Sequence, residues 1–321
     1  MKYFWFVAIF VILASIVLIS FHHNSMASLH CLTGAFLADN PTVEDIRNFK
    51  SAYGKKPFFV MVFIGWENLV REETIKSVYR EGCVMVVTWE PWNAATAEAI
   101  DYDKVLSGGY DSYIASFAKQ IKSIPGAVFI RFAHEMNGNW YPWSGVKIGK
   151  QKYITLYRYI KDKFDALGVT NAKWIFSINC EDVPGGNANR YLLYYPGDEY
   201  VDYVGIDGYN WGDTKPWSKW MSFKEIFFGR YEEIIQKIKK PVIITEFSST
   251  SSGGDKAIWI AQALKSIKDM KAVRGFILFN RDKETDWSFS ADTPAGRILK
   301  RQLQNSYFKE NNQTIIYEKN D

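Results

Sequence analysis

The sequence predicts a single (β/α)₈ barrel, on three observations. Short β-branched or aromatic runs alternate eight times with stretches of helical periodicity. The runs are apolar almost without interruption, as in parallel strands covered on both faces. The alternation occupies most of a 321-residue chain, a length that one such barrel fills.

The first run is Cys31 to Ala38, followed by a helical stretch from Val43 to Tyr53. The second, Phe58 to Trp66, opens with seven consecutive apolar residues and precedes a helix over Glu72 to Glu81. Val84 to Trp92 is the third strand, with a helix at Tyr110 to Ser123, and Ala127 to His134 is the fourth, with a helix at Gln151 to Leu167. After the fifth run, Lys173 to Cys180, the chain is short and irregular rather than helical. The last three units pair Val201 to Tyr209 with Lys224 to Lys239, Pro241 to Phe247 with Asp255 to Met270, and Arg274 to Asn280 with Pro294 to Gln304. An open doubly wound sheet is the alternative, but no Gly-x-Gly-x-x-Gly loop follows any strand. Gly185-Gly186 and Gly253-Gly254 are plain loops.

Residues 1–27 stand apart. Tyr3 to Phe21 carries no charge, which is nearly enough to span a bilayer, whereas Ser25-Met26-Ala27 offers a small-x-small cleavage site before Ser28. The expectation is an exported protein, either secreted or membrane-anchored through residues 3–21, with one barrel domain over 28–321.

Net charge is +4, from 39 basic against 35 acidic residues without a basic run, which excludes a nucleic-acid partner. Cys31, Cys83 and Cys180 have neither zinc-site spacing nor the number for a disulfide framework. No metal or cofactor is expected, and the chain is expected to be a monomer. Aromatics reach 17%, and Trp66, Trp89, Trp92, Trp140, Trp143, Trp211 and Trp287 all fall at or beyond strand ends. That is the ligand-binding face of a barrel. Flat rings with a polar edge suit the apolar face of a sugar.

Two carboxylates complete the pattern. Strict alternation puts Arg131 and Glu135 on one face of the fourth strand, and Glu246 closes the seventh. A carboxylate at the end of an apolar strand loses solvation, so it needs partners or has a chemical use. A pair facing one pocket is what glycoside cleavage requires, one protonated acid and one ionised carboxylate. Two structural salt-bridge glutamates are the alternative. Glu90, also at a strand end, is expected to organise its loop.

His134-Glu135-Met136-Asn137-Gly138 with Trp140-Tyr141-Pro142-Trp143 resembles the acid/base motif of glycoside hydrolase family 26, best known for β-mannanases. Ile244-Thr245-Glu246-Phe247 resembles its nucleophile strand, and Trp89-Glu90-Pro91-Trp92, Asp207-Gly208-Tyr209 and Lys283 to Trp287 resemble further family blocks. The resemblance implies a retaining mechanism with Glu135 as acid/base and Glu246 as nucleophile. It further implies that His134 contacts the sugar, Tyr209 bonds the nucleophile, and Asp207, Trp140 and Trp287 line the subsites. Trp89 and Trp143 join them as aromatic candidates, and Arg131, assigned from parity, is a cation beside a carboxylate. The expected function is endo-acting hydrolysis of β-1,4-mannan. Mixed-linkage β-glucan, β-1,3-xylan and a catalytically silent polysaccharide-binding role are the alternatives.

Overall fold

The structure is a computed structural model that describes residues 30–312. The expected anchor or signal lies outside them. Among the described residues, no helix is long and apolar enough to cross a membrane.

Eight strands form a closed parallel ring: β1 (Gly34–Phe36), β2 (Phe59–Gly65), β3 (Val84–Glu90), β4 (Val128–Phe132), β5 (Ala172–Asn179), β6 (Tyr203–Asn210), β7 (Val242–Ser249) and β8 (Val273–Phe279). Each pairs with the next, and β8 returns to β1 through Leu278 opposite Ala35 and Phe279 opposite Phe36. Helices α1 (Val43–Tyr53), α2 (Glu72–Arg80), α3 (Asp111–Ser123), α4 (Lys150–Ala166), α5 (Phe223–Lys237), α6 (Lys256–Asp269) and α7 (Pro294–Leu303) follow every strand except β5. Three 3₁₀ turns between Asn187 and Tyr200 take the fifth position. This is the (β/α)₈ barrel expected from the sequence.

Local chemistry sets the helix ends. Thr42 and Asp45 form a reciprocal capping box at α1, and Gly54 ends that helix at φ +72°. Ser222 and Glu225 repeat the box at α5, Asp255 caps α6, and Thr293 with Pro294 opens α7.

The first expected strand is broken. Cys31–Leu32 pairs outside β1 with β8 and with Phe308–Lys309, because the Thr33 carbonyl turns to accept from the Phe58 and Phe59 amides at 2.7 and 3.0 Å. The fourth is shorter than expected and ends at Phe132, since Ala133 and Glu135 adopt left-handed φ of +47° and +53°. A small antiparallel ribbon (Trp92–Asn93 with Glu98–Ala99) and two short helices, Tyr102–Leu106 and Gly145–Ile148, lie between the expected elements, apart from Trp92, which the third expected strand included.

Side chains inside the ring are layered. Phe59, Met61, Val84, Val86, Phe129, Ile175, Ile243 and Ile277 form an apolar plug. Above it, towards the strand C-termini, comes a polar layer of Thr88, Arg131, Ser177, Asp207 and Thr245, all buried. Cys31 and Cys83 are buried and Cys180 half-buried, and all three are free thiols.

Candidate active site

The polar layer is built around Arg131, which is fully buried on β4. Its Nη1 donates to Glu246 Oε1 at 2.6 Å and to Thr88 Oγ1 at 3.1 Å, its Nε to Ser177 Oγ at 2.9 Å, and its Nη2 to Asp207 Oδ2. Asp207 also accepts from Thr245 Oγ1 at 2.7 Å and from Ser177 Oγ at 3.1 Å. Room for this network comes from Gly205, where a Cβ would lie 2.6 Å from both the Ser177 and Thr245 hydroxyls. Burial alone would lower the guanidinium's pKa, but the carboxylates of Asp207 and Glu246 outweigh it and hold the group above its ordinary value.

Glu246 reaches this layer through a register shift. On β7, Ile244 pairs with Ile206 and Glu246 with Asp207, so Thr245 is an extra residue against β6. The bulge lets two consecutive side chains, Thr245 and Glu246, both face the interior. Thr245 bonds Asp207 below, and Glu246 emerges into the cleft, where its Oε2 accepts from the Tyr209 hydroxyl.

Glu135 is presented by the left-handed turn after β4. Asn179 Nδ2 donates to its Oε1 at 2.9 Å and Trp140 Nε1 to its Oε2 at 2.8 Å. Burial, reinforced by the negative charges of Asp207 and Glu246, pushes its pKa up to about 8, against the pull of Arg131 and the Asn179 bond. The shift favours the protonated form of Glu135 at neutral pH.

Glu135 and Glu246 line one cleft of about 1070 Å³ at the C-terminal mouth of the barrel, together with Trp140, Tyr141, Tyr209, Trp211, Trp217 and Trp287. Around them Asn179, Lys283 and Glu284 supply polar edges. An open groove walled by aromatic faces, with a protonated acid and a hydrogen-bonded carboxylate between them, can bind a sugar chain and cleave a glycosidic bond.

Several expected ligand contacts lie elsewhere. Trp89 is fully buried outside the ring, stacked on Trp66 at 5.2 Å with its N–H donated to Tyr113, so it is core and does not face the cleft. Trp143 is buried beneath Tyr141, at 4.3 Å between stacked rings, and its N–H holds the His134 carbonyl at 2.7 Å. Asp207 and Arg131 lie under the cleft floor, where Arg131 pairs with both Asp207 and Glu246. The His134 ring is buried as well and meets the cleft through Tyr141, whose hydroxyl is 3.0 Å from Nε2. Burial, with Arg131 and Lys283 nearby, keeps that imidazole neutral, well below its ordinary pKa. Glu90 accepts from Trp92 Nε1 at 3.1 Å, the loop-organising bond expected of it.

Sequence reasoning missed Asn179, Tyr141 as a cleft wall, Trp217 and the hydroxyl layer. The inward parity of Thr88, Ser177 and Asn179 on their strands was a usable signal for Asn179 and for the hydroxyl layer.

Endoglucanase H of Acetivibrio thermocellus is 38% identical over 299 residues, covering 89% of this chain and 32% of that protein. A mannan endo-1,4-beta-mannosidase of Bacillus subtilis is 28% identical over 153 residues, covering 44% of this chain and 36% of that protein. The chain thus spans about a third of the length of these curated relatives. Among solved structures, the GH26 domain of an endo-beta-mannanase/endo-beta-glucanase from Prevotella bryantii superposes with a TM-score of 0.64 at 14% identity, covering 88% of this chain and 90% of that one. The Bacillus subtilis mannanase man26 gives 0.63 at 19% identity, covering 88% and 87%. At that identity the two structures speak for the fold alone. The family model described as glycosyl hydrolase family 26 matches residues 44–290, from α1 past the Trp287 loop, and the chain belongs to that family.

Proposed function

We propose that this chain is a retaining, endo-acting glycoside hydrolase of β-1,4-linked hexopyranose polymers, with mannan as the leading substrate. The observation that carries the reading is the unlike pair in one cleft, Glu135 with its proton favoured by burial and Glu246 with a donor on each oxygen.

In the first step Glu246 attacks the anomeric carbon as the bond to the leaving oxygen breaks, and the Glu135 proton passes to that oxygen. Glu135, now a carboxylate, takes a proton from water, and the water oxygen displaces Glu246 from the anomeric carbon. Arg131 and Tyr209 hold the attacking carboxylate, and Asn179 and Trp140 orient the acid. A silent binding protein would have no use for a buried acid held in its protonated form.

Mannan is supported by the relatives described as mannan endo-1,4-beta-mannosidase. A β-glucan is the second reading, favoured because the relative aligned over 89% of the chain is named an endoglucanase. Assay of new reducing ends on mannan, glucomannan, lichenan and β-1,3-xylan decides between them, and no release from any overturns the hydrolase. We propose also that the protein is exported, on the uncharged run of residues 3–21. A salt-resistant membrane form would make that run an anchor, a soluble form beginning at Ser28 a cleaved signal, and a full-length cytoplasmic form would overturn export.

A further inference from the structure

We propose that Lys256, outside the cleft lining, is a positioning residue that fixes the cleft wall at Trp287. The proposal rests on the hydrolase reading for its kinetic consequence. Lys256 opens α6 and is buried, its ammonium 4.5 Å from the centre of the Phe289 ring. Its Nζ donates to the carbonyls of Asp286 at 3.1 Å and Ser288 at 2.6 Å. Between those two, the Trp287 carbonyl accepts from Ser248 Oγ at 2.7 Å. Three consecutive carbonyls are therefore gripped from β7 and α6, by side chains two and ten positions beyond Glu246.

The loop packs through the buried Trp287 and Phe289 side chains, and it also borders open space. A cavity of about 520 Å³, lined by Ser251, Lys256, Asp286, Ser288 and Ser290, lies behind this loop. The Asp286 carboxylate is engaged within the loop, by the Ser288 amide at 2.9 Å and its hydroxyl at 2.5 Å, leaving the ammonium to the carbonyls. Burying an ammonium is costly, and its placement here matches a demand for donors aimed at backbone. What the grip fixes is the indole. The Trp287 ring lies 4.8 Å from both Tyr209 and Trp211, and Tyr209 donates to Glu246. The Trp287 N–H also meets Glu284 at 3.2 Å, so the clamp sets two cleft-lining side chains together.

The test uses the full chain with Lys256→Met, Ser248→Ala, Trp287→Ala and the Lys256→Met/Trp287→Ala double variant. Hydrogen exchange in the 283–289 segment should rise in Lys256→Met and Ser248→Ala relative to the rest of the barrel. Unchanged exchange there overturns the clamp, whatever the activity. On the best polymer of the panel, Lys256→Met should lower kcat/KM on the order of tenfold to a hundredfold, as displaced contacts do. The double variant should be no worse than Trp287→Ala alone, because Lys256 acts through that residue. Multiplying losses in the double variant, or an unaltered kcat/KM in Lys256→Met, refute the positioning role. If Lys256→Met does not fold, Ser248→Ala, combined in the same way with Trp287→Ala, carries the same two readouts. A wild-type protein without turnover on any polymer counts against the hydrolase reading, and the exchange result still judges the clamp.

Discussion

Arg131 on β4 and Glu246 on β7 meet across the floor of the cleft, Nη1 to Oε1 at 2.6 Å, with the arginine fully buried. Asp207 holds the other Nη of the same guanidinium. One cation thus stands between two carboxylates in a place water does not reach, and removing it leaves both uncompensated.

Arg131→Met should therefore destabilise the barrel by about 3–5 kcal/mol, the usual cost of orphaning a buried charge. Urea unfolding followed by tryptophan fluorescence checks this. A change below about 1 kcal/mol would mean that the two carboxylates find other partners.

Glu135 gives a pH dependence with a definite sign. Its folded pKa of about 8 exceeds the ordinary 4.5, so between those values the folded state holds a proton that the unfolded chain releases. Its contribution to stability is intact below the lower value and is lost as pH rises through the upper one. Glu90 and Asp207, each raised by burial to about 7, act in the same direction over much of that window. Glu135→Gln should flatten, without abolishing, the fall in melting temperature between these limits.

Activity should follow the same proton. The limb of kcat/KM at high pH should lie near pH 8, where Glu135 loses its acid form. Glu135→Ala assayed on an aryl glycoside with an activated leaving group should lack that limb. Its persistence would assign the proton to another group.

The two glutamates should separate by rescue. Glu246→Ala should be inactive on every substrate, since no covalent intermediate forms. Glu135→Ala should keep residual turnover of activated aryl glycosides, accelerated by azide, and the wild-type product should first appear with the β configuration by proton NMR. Azide rescue that gives an inverted glycosyl azide with Glu135→Ala, and a retained one with Glu246→Ala, would exchange the two roles.

Tyr209→Phe tests the bond to Glu246 while keeping the ring against Trp287. Its kcat should drop on the order of tenfold to a thousandfold, by analogy with loss of one preorganised donor, with little change in melting temperature. An unaltered kcat would place the hydroxyl outside the reaction.

The barrel was legible because its strands are plain. Continuous apolar runs such as Phe59 to Ile64 and capped helices such as Val43 to Tyr53 carry their period in the residues themselves. The strand-four and strand-seven motifs singled out Glu135 and Glu246 as well, and the structure brings both into one cleft. Their presentation was not legible. Alternation carried through to Glu135 fails, because the strand stops at Phe132 and two left-handed residues, neither of them glycine, place Glu135. Nothing in Ala133 announces such a conformation, because it is imposed by tertiary partners such as the Ser177 carbonyl that accepts from the Glu135 amide at 2.9 Å. The tryptophans mislead for a related reason. Position beyond a strand end puts Trp89 and Trp143 near the mouth, but whether an indole faces inward or outward there depends on neighbours such as Tyr113 and Tyr141, which are distant in sequence or on an irregular turn.

The extra residue in β7 makes the place of Glu246 a matter of counting along the chain. Were Thr245 retained but the strand straightened, Glu246 would swing outward among the helices and Phe247 would enter the mouth. Were Thr245 lost, Glu246 would settle a layer deeper, against Asp207, with the hydroxyl that Asp207 uses gone. A conservative exchange of Thr245 for Ser keeps the count and the donor, whereas a single-codon deletion keeps every other side chain and dismantles the pair. At this point of the barrel, the length of the chain is under tighter constraint than the identity of the residue.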